Sequence, residues 1–232
     1  MTPRILVTGF SAFPGAPVNP SEVLIGMLER DRANPGVAID LFTRVLPVEY
    51  EPLPGLLRRF GAQIRPDIAI HFGLAETAKG FRLERMARNR SSLRTKDAAG
   101  CMPVTREIGA GPRATPSTLP LDAIAEALRA RGLPVERSSD AGSYLCNHLF
   151  YHSCAGLVED FRPAMAGFVH VPFLDTQLDA LPPARASRLS SLTADDLRRG
   201  AVEIIRQCAR SFEVSGRSAR GPAEGVDPEI VR

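Results

Sequence analysis

Four cysteines (Cys101, Cys146, Cys154, Cys208) and four histidines (His71, His148, His152, His170) are the groups of this chain best suited to nucleophilic or acid–base chemistry. Cys146 has the most favourable surroundings. It follows the turn Asp140-Ala-Gly142 and stands two or three residues inside a predicted helix start, within Gly142-Ser-Tyr-Leu-Cys-Asn-His148. The first N–H groups of a helix have no intrahelical partner and carry partial positive charge, which favours a thiolate and can hold an oxyanion. A small core residue is the other reading of the same position, since free cysteine is often buried. Cys154 lies two turns further along without this electrostatic help. Cys101 and Cys208 fall in a loop and a late helix, and none of the four forms a CxxC pair, so all read as free thiols.

A cysteine nucleophile needs a base and a group to orient it. His170 ends a predicted strand just before Val171-Pro172, at the sheet edge where ligands and catalytic groups gather in open α/β folds. His71 is mid-strand and reads as a satisfied core histidine. His148 and His152 share one helix face and could be half of a metal site, but Leu149 stands where a zincin helix carries glutamate, and no third ligand is evident, so no metal is expected. Glu84, flanked by Arg82 and Arg85, is either the orienting carboxylate or a solvated ion pair. The loop Gly9-Phe-Ser-Ala-Phe-Pro-Gly15 sits where phosphate loops sit. It lacks their Lys-Ser/Thr ending and makes no GxGxxG, and Phe10 and Phe13 suit a small apolar or amide ring better than a polyphosphate.

The elements that must position these groups alternate. Strands are predicted over 4–8, 37–48, 67–72 and 166–171, and helices over 20–30, 53–60, 119–131, 143–156 and 193–212. Asn19, Pro20 and Glu22 read as N-cap, first and third positions of the first helix. Such alternation implies an α/β fold, a three-layer α/β/α sandwich around a mainly parallel twisted sheet. Residues 75–118, rich in Arg, Gly and Pro, hold only a short strand near 83–87, and so long a weakly structured stretch is usually functional. We expect one domain over 1–214 and a disordered tail over 215–232.

With 232 residues, 44% of them hydrophobic, the chain can bury a sizeable core. Its net charge of +3 comes from 29 basic and 26 acidic residues, and Lys79 and Lys96 are the only lysines. No basic stripe interleaved with aromatics suggests nucleic-acid binding. The N-terminal run Ile5-Leu-Val7 is too short for a signal segment, and no stretch approaches the roughly 18 apolar residues of a membrane helix. A cytoplasmic protein without membrane contact is expected.

Together these residues resemble a known family. Ile5-Leu-Val-Thr-Gly-Phe-Ser-Ala-Phe13 with Asn19-Pro-Ser21 is similar to the opening of the pyroglutamyl peptidase I family, cysteine peptidase family C15. Ala141-Gly-Ser-Tyr-Leu-Cys-Asn-His-Leu-Phe-Tyr151 resembles its nucleophile segment, Gly167-Phe-Val-His-Val-Pro-Phe173 its histidine segment, and Leu83-Glu-Arg-Met-Ala-Arg-Asn89 the segment bearing its glutamate. The resemblance implies Cys146 as nucleophile, His170 as general base and later acid, and Glu84 as the group orienting His170. It implies hydrolysis of an N-terminal pyroglutamyl residue from a peptide through a thioester acyl-enzyme, no cofactor, and a homotetramer. Backbone N–H groups at Cys146 and near Arg94 are implied to hold the oxyanion. Phe10 and Phe13 are implied to sandwich the pyrrolidone ring, with Asn89, Arg94 and Tyr144 also in substrate binding.

Four places depart from the family pattern, all around the implied pocket. Leu74 stands for a glutamine, Arg88 inserts a charge, Thr95-Lys96 replaces an Ile-Pro pair, and Val48 takes the place of a threonine. A site that reads a lactam by hydrogen bonds loses discrimination steeply when those partners go. A divergent relative acting on another blocked N-terminus or small amide is therefore the alternative within the class. Outside it stand a non-catalytic binding protein and, more distantly, a metal hydrolase using His148 and His152.

Overall fold

Ile5-Leu-Val7, Ile68-Ala-Ile70 and Gly167-Phe-Val169 are apolar at every residue rather than at alternate ones, the pattern of strands covered on both faces. A computed structural model, describing residues 2–14, 16–30 and 35–218, places all three in the middle of one sheet. Along the chain run β1 (Arg4–Phe10), α1 (Pro20–Arg30), β2 (Asp40–Leu46), α2 (Pro52–Ile64), β3 (Ile68–Leu74), β4 (Phe81–Glu84), β5 (Met86–Arg88), β6 (Ala114–Pro116), α3 (Leu121–Ala130), β7 (Val135–Ser138), α4 (Leu145–Ala155), β8 (Met165–Val171), β9 (Phe173–Leu174), α5 (Asp175–Leu178), α6 (Pro183–Ala186), β10 (Ser191–Leu192) and α7 (Ala194–Ser218).

The main sheet has the order β2-β1-β3-β8-β4-β7, parallel throughout except where β4 meets β8. Helices α1, α3 and α7 pack on one face around Ile5, Val7, Ile70 and Val169. On the other face, α2 and α4 pack around Leu6, Ala69 and Phe168. This is the α/β/α sandwich expected from the alternation. Two short ladders, β5–β6 and β9–β10, lie outside the sheet.

The differences from expectation have local causes. β2 is an edge strand, mostly half-exposed, and pairs only over Asp40–Leu46 rather than 37–48. α2 continues to Ile64 and stops at Arg65, whose φ of 50° is left-handed. The single short strand near 83–87 is two: β4 joins the sheet, and β5 turns away to pair with β6. β7, with the mixed sequence Val-Glu-Arg-Ser, has no apolar run to announce it. α7 runs on past Phe212 to Ser218, so 215–218 are helical where a disordered tail was expected, and 219–232 lie outside the described residues. No helix among the described residues is long and apolar enough to cross a membrane.

Candidate active site

The parallel strands β1, β3 and β8 end together, and their C-terminal edge carries the residues singled out above. Register sets Gly73 of β3 beside His170 of β8. α4 crosses this edge with its N-terminus, so Cys146, its second residue, stands above that pair. A methyl group added to Gly73 would lie 3.0 Å from the Cys146 sulfur and 2.8 Å from the Phe168 ring, which is why the strand end has no side chain there.

Glu84 reaches His170 because β4 runs antiparallel to β8. That register pairs Glu84 with Phe168, one diagonal step from His170 on the same face. The Glu84 carboxylate is fully buried, and its Oε1 lies 2.8 Å from His170 Nδ1. The imidazole, 6% exposed, also hydrogen-bonds the Cys146 side chain. Burial alone would lower the His170 pKa. The charge and hydrogen bond of the Cys146 sulfur, and then those of Glu84, overcome this and raise it to about 9. The three side chains therefore form one line, carboxylate to imidazole to sulfur. The solvated ion pair considered for Glu84 does not occur: Arg82 turns instead to Glu136, at 2.7 Å.

Tyr144, the N-cap residue of α4, has extended backbone and makes no side-chain cap bond. The N–H groups of the first turn, that of Cys146 included, are thus left for another acceptor. Beside the sulfur opens a narrow slot of about 50 Å³, lined by Phe10, Phe13, Val48, Leu74, Tyr144 and Asn19. It exceeds the roughly 10–15 Å³ that admits one water and suits a small, flat group. The loop bearing Phe13 is fastened by the first turn of α1. Asn19 Nδ2 donates to the Ser11 carbonyl at 3.0 Å, and Phe10 N donates to Ser21 Oγ at 2.9 Å. Glu22 accepts from the Ala12 N–H at 2.8 Å, so it pins the loop rather than completing a capping box with Asn19.

A family model described as pyroglutamyl peptidase matches residues 3–205. The chain belongs to the pyroglutamyl peptidase family. It is a hydrolase of that type, similar to the pyrrolidone-carboxylate peptidase 1 of Ralstonia nicotianae, with 37% identity over 182 residues, 78% of this chain and 83% of that one. The pyrrolidone-carboxylate peptidase of Chromobacterium violaceum is 38% identical over 202 residues, 86% of this chain and 91% of its own. Among solved structures, the pyrrolidone carboxyl peptidase of Fervidobacterium islandicum superposes with a TM-score of 0.78 at 32% identity, covering 87% of this chain and 96% of that one. A mutant pyrrolidone carboxyl peptidase from Pyrococcus furiosus gives the same TM-score and identity, over 90% and 99%.

Within this member of the pyroglutamyl peptidase family, not every residue assigned to substrate binding meets the slot. Phe10, Phe13 and Tyr144 line it. Asn89 does not: its Oδ1 accepts from Ile108 N at 2.6 Å and its Nδ2 donates to the Gly109 carbonyl at 2.8 Å, so it ties a loop. The Arg94 side chain is exposed and lines a neighbouring cavity. Of the departures, Val48 and Leu74 are slot walls, while Lys96 offers its carbonyl to the Tyr144 hydroxyl at 3.1 Å.

Sequence reasoning missed the structural part played by the residues that follow Cys146. Asn147, fully buried, accepts from Arg88 N at 2.9 Å and donates to the carbonyls of Arg88 and Arg90 at 2.8 and 3.0 Å. His148 Nε2 lies 2.8 Å from Ser91 Oγ. Both bind the segment 88–91 to α4. A buried asparagine in an otherwise apolar helix was the available signal, since such a side chain must find partners. Burial lowers the pKa of His148 and of His152 to about 4, with each other's proximity adding for His148. Among the described residues no group of three or more His, Cys, Asp or Glu is placed to hold a metal. His71, fully buried between Thr8 Oγ1 and Ser153 Oγ at 2.8 Å each, is the core histidine expected.

Proposed function

We propose that Cys146, His170 and Glu84 remove an N-terminal pyroglutamyl residue from peptides through a thioester acyl-enzyme. The observation that carries this is the continuous contact from Glu84 through His170 to the Cys146 sulfur at the mouth of an apolar slot. With Nδ1 held by Glu84, Nε2 is left for the sulfur. With its pKa raised to about 9, His170 holds its proton near neutral pH and presents it beside the sulfur.

The sulfur attacks the carbonyl carbon of the pyroglutamyl–peptide bond. As the C–S bond forms, the oxyanion takes the open N–H groups of the first turn of α4, that of Cys146 among them. The C–N bond then breaks, and the leaving amine receives the proton of His170. Water adds to the thioester and gives a proton back to His170, and the C–S bond breaks to release pyroglutamate.

The slot favours a blocked terminus for an electrostatic reason. None of its lining residues carries a carboxylate; Asn19 is occupied by Ser11 and Ser21, and the Tyr144 hydroxyl donates to the Lys96 carbonyl. A charged N-terminal ammonium would lose its water there without a carboxylate to pair with, whereas a neutral lactam loses far less. Val48 and Leu74 supply contact area to the ring, and the polar edge of the lactam is left to backbone groups.

The test is release of the chromophore from a pyroglutamyl arylamide by the wild type and by Cys146→Ser. The wild type is expected to cleave it, and the variant to be slower by at least about 10³-fold. Equal rates remove Cys146 as nucleophile. Cleavage of a free-amine alanyl arylamide as fast as the pyroglutamyl one removes the argument from the slot.

A further inference from the structure

A second cavity, about 300 Å³, opens next to the slot and is lined by Arg90, Ser92, Arg94, Arg106 and Ser143, among others. Its wall is continuous with that of the slot: Ser143 faces the cavity, and the next three residues, Tyr144, Leu145 and Cys146, face the slot. Three residues of chain span at most about 10 Å, so the Ser143 wall of the cavity lies within about that distance of the Cys146 backbone. An extended peptide advances about 3.3 Å per residue and crosses this gap with its second or third residue beyond the scissile bond.

The charge of the cavity is unbalanced. Arg90 is spent on Asp140, at 2.8 and 3.1 Å, and on the Gly142 carbonyl. Arg94 and Arg106 are exposed, and among the described residues neither has a carboxylate partner. The acids nearby are committed elsewhere. Asp97 accepts the N–H groups of Tyr50, Ala99 and Cys101, and Glu107 is not among the residues that line the cavity. The backbone around the two arginines is held independently of their side chains, by Ser91 N to the Arg106 carbonyl and by Ser92 N to the Ser143 carbonyl.

Building on the proposed peptidase reading, we propose that this cavity receives a carboxylate on the leaving side of the substrate, so that the enzyme prefers pyroglutamyl peptides with an acidic residue, or a free C-terminus, two or three places beyond the cleaved bond. Arg94 and Arg106 supply the recognition, and Arg90, already neutralised, shapes the wall.

The experiment measures kcat/KM for tetrapeptide amides that begin with pyroglutamate and carry Glu, Gln or Lys at the last two positions, together with the Gln peptide as a free acid. A solvent-accessible ion pair supports at most about a fivefold effect, so Glu is expected to exceed Gln by up to about fivefold per arginine, with Lys below Gln. The Glu and free-acid arms separate a side-chain carboxylate from a terminal one. In about 1 M salt, where the screening length falls to about 3 Å, the ranking should flatten. Arg106→Glu should invert the order of the Glu and Lys peptides, a change that mere loosening of the loop would not produce. Equal kcat/KM for Glu, Gln and Lys in the wild type, or an unchanged ranking in Arg106→Glu, overturns the proposal. Failure to cleave any pyroglutamyl peptide is a different outcome, and sinks the peptidase reading together with this one.

Discussion

Glu84→Gln changes one charge and almost no volume, and its consequences follow from the line Glu84–His170–Cys146. The rise of His170 from its ordinary 6.5 to about 9 corresponds to about 3 kcal/mol of preference for the imidazolium, at about 1.4 kcal/mol per pH unit. Cys146 contributes more of that preference than Glu84. Loss of the Glu84 charge removes part of that preference, so in the variant His170 should titrate lower than in the wild type. The alkaline limb of kcat/KM then moves down from about 9. The rate falls further than this, because the new amide can turn its NH₂ toward Nδ1. That leaves the ring proton on Nε2, where a general base needs a lone pair, and a wrong tautomer costs about 10²–10⁴-fold. Stability moves much less. A group with a raised folded pKa stabilises fully below its unfolded value and loses that contribution as pH rises through the folded one. The variant should therefore be less stable than the wild type near pH 6, by on the order of 1 kcal/mol, and equal to it by about pH 10. The assays are a pH–rate profile on a pyroglutamyl arylamide and urea unfolding at several pH values. A Glu84→Gln enzyme with its alkaline limb unmoved and its rate within about twofold of wild type would refute this account of the triad.

Three more outcomes are expected. Limited iodoacetamide near neutral pH, followed by peptide mapping, should label Cys146 and the exposed Cys101, and spare Cys154 and Cys208, whose burial pushes their thiols up, that of Cys154 to about 12; labelling of Cys208 ahead of Cys146 would contradict this. Gly73→Ala forces a methyl to 3.0 Å from the Cys146 sulfur and 2.8 Å from the buried Phe168 ring, so kcat/KM should fall by about 10- to 100-fold and the thermal midpoint should drop as well, and a fully active variant would show that the sulfur is not where the strand end holds it. Burial lowers His71 to about 3 and His148 and His152 to about 4, so the unfolded chain binds protons first as pH falls below about 6.5. Each should remove up to about 1.4 kcal/mol of stability per pH unit between there and its own folded value, and urea unfolding at pH 7, 6 and 5 that gives a flat stability would refute it.

The sandwich was legible because its central strands are uniformly apolar and its helices carry ordinary start signals. Cys146 and His170 were legible for local reasons, one at a helix start after the 140–142 turn, the other at a strand end before Pro172. Glu84 was not. Its neighbours Arg82 and Arg85 offered it partners in sequence, and only the antiparallel register of β4 on β8 turns it inward to His170. That pairing joins segments 86 residues apart and leaves no local trace in either. The assignment of Glu84 came from family resemblance, and the geometry supplies its physical basis. Asn89 shows the opposite case: the resemblance implied a substrate contact, whereas its amide is taken up by the backbone of 108–111 and does not line the slot.

The segment 75–118 poses the remaining physical question, since a stretch so poor in regular structure should not hold a cavity wall in place. Consecutive residues of a helix point about 100° apart, and α4 uses this in its first turn. Cys146 faces the slot, Asn147 takes the backbone of 88–90, and His148 takes Ser91. Tyr144, just ahead of them, fastens the Lys96 carbonyl, and Ser143 fastens Ser92. Asp97 then closes the turn 97–101 on itself and on Tyr50. The helix that presents the sulfur thus also fixes the walls that select what reaches it. A shift of α4 would carry Cys146, the first-turn N–H groups and the tied wall together, whereas loss of Asn147 would leave the backbone groups of 88–90 without their partner and rest the wall on the ties of Ser143, Tyr144 and His148.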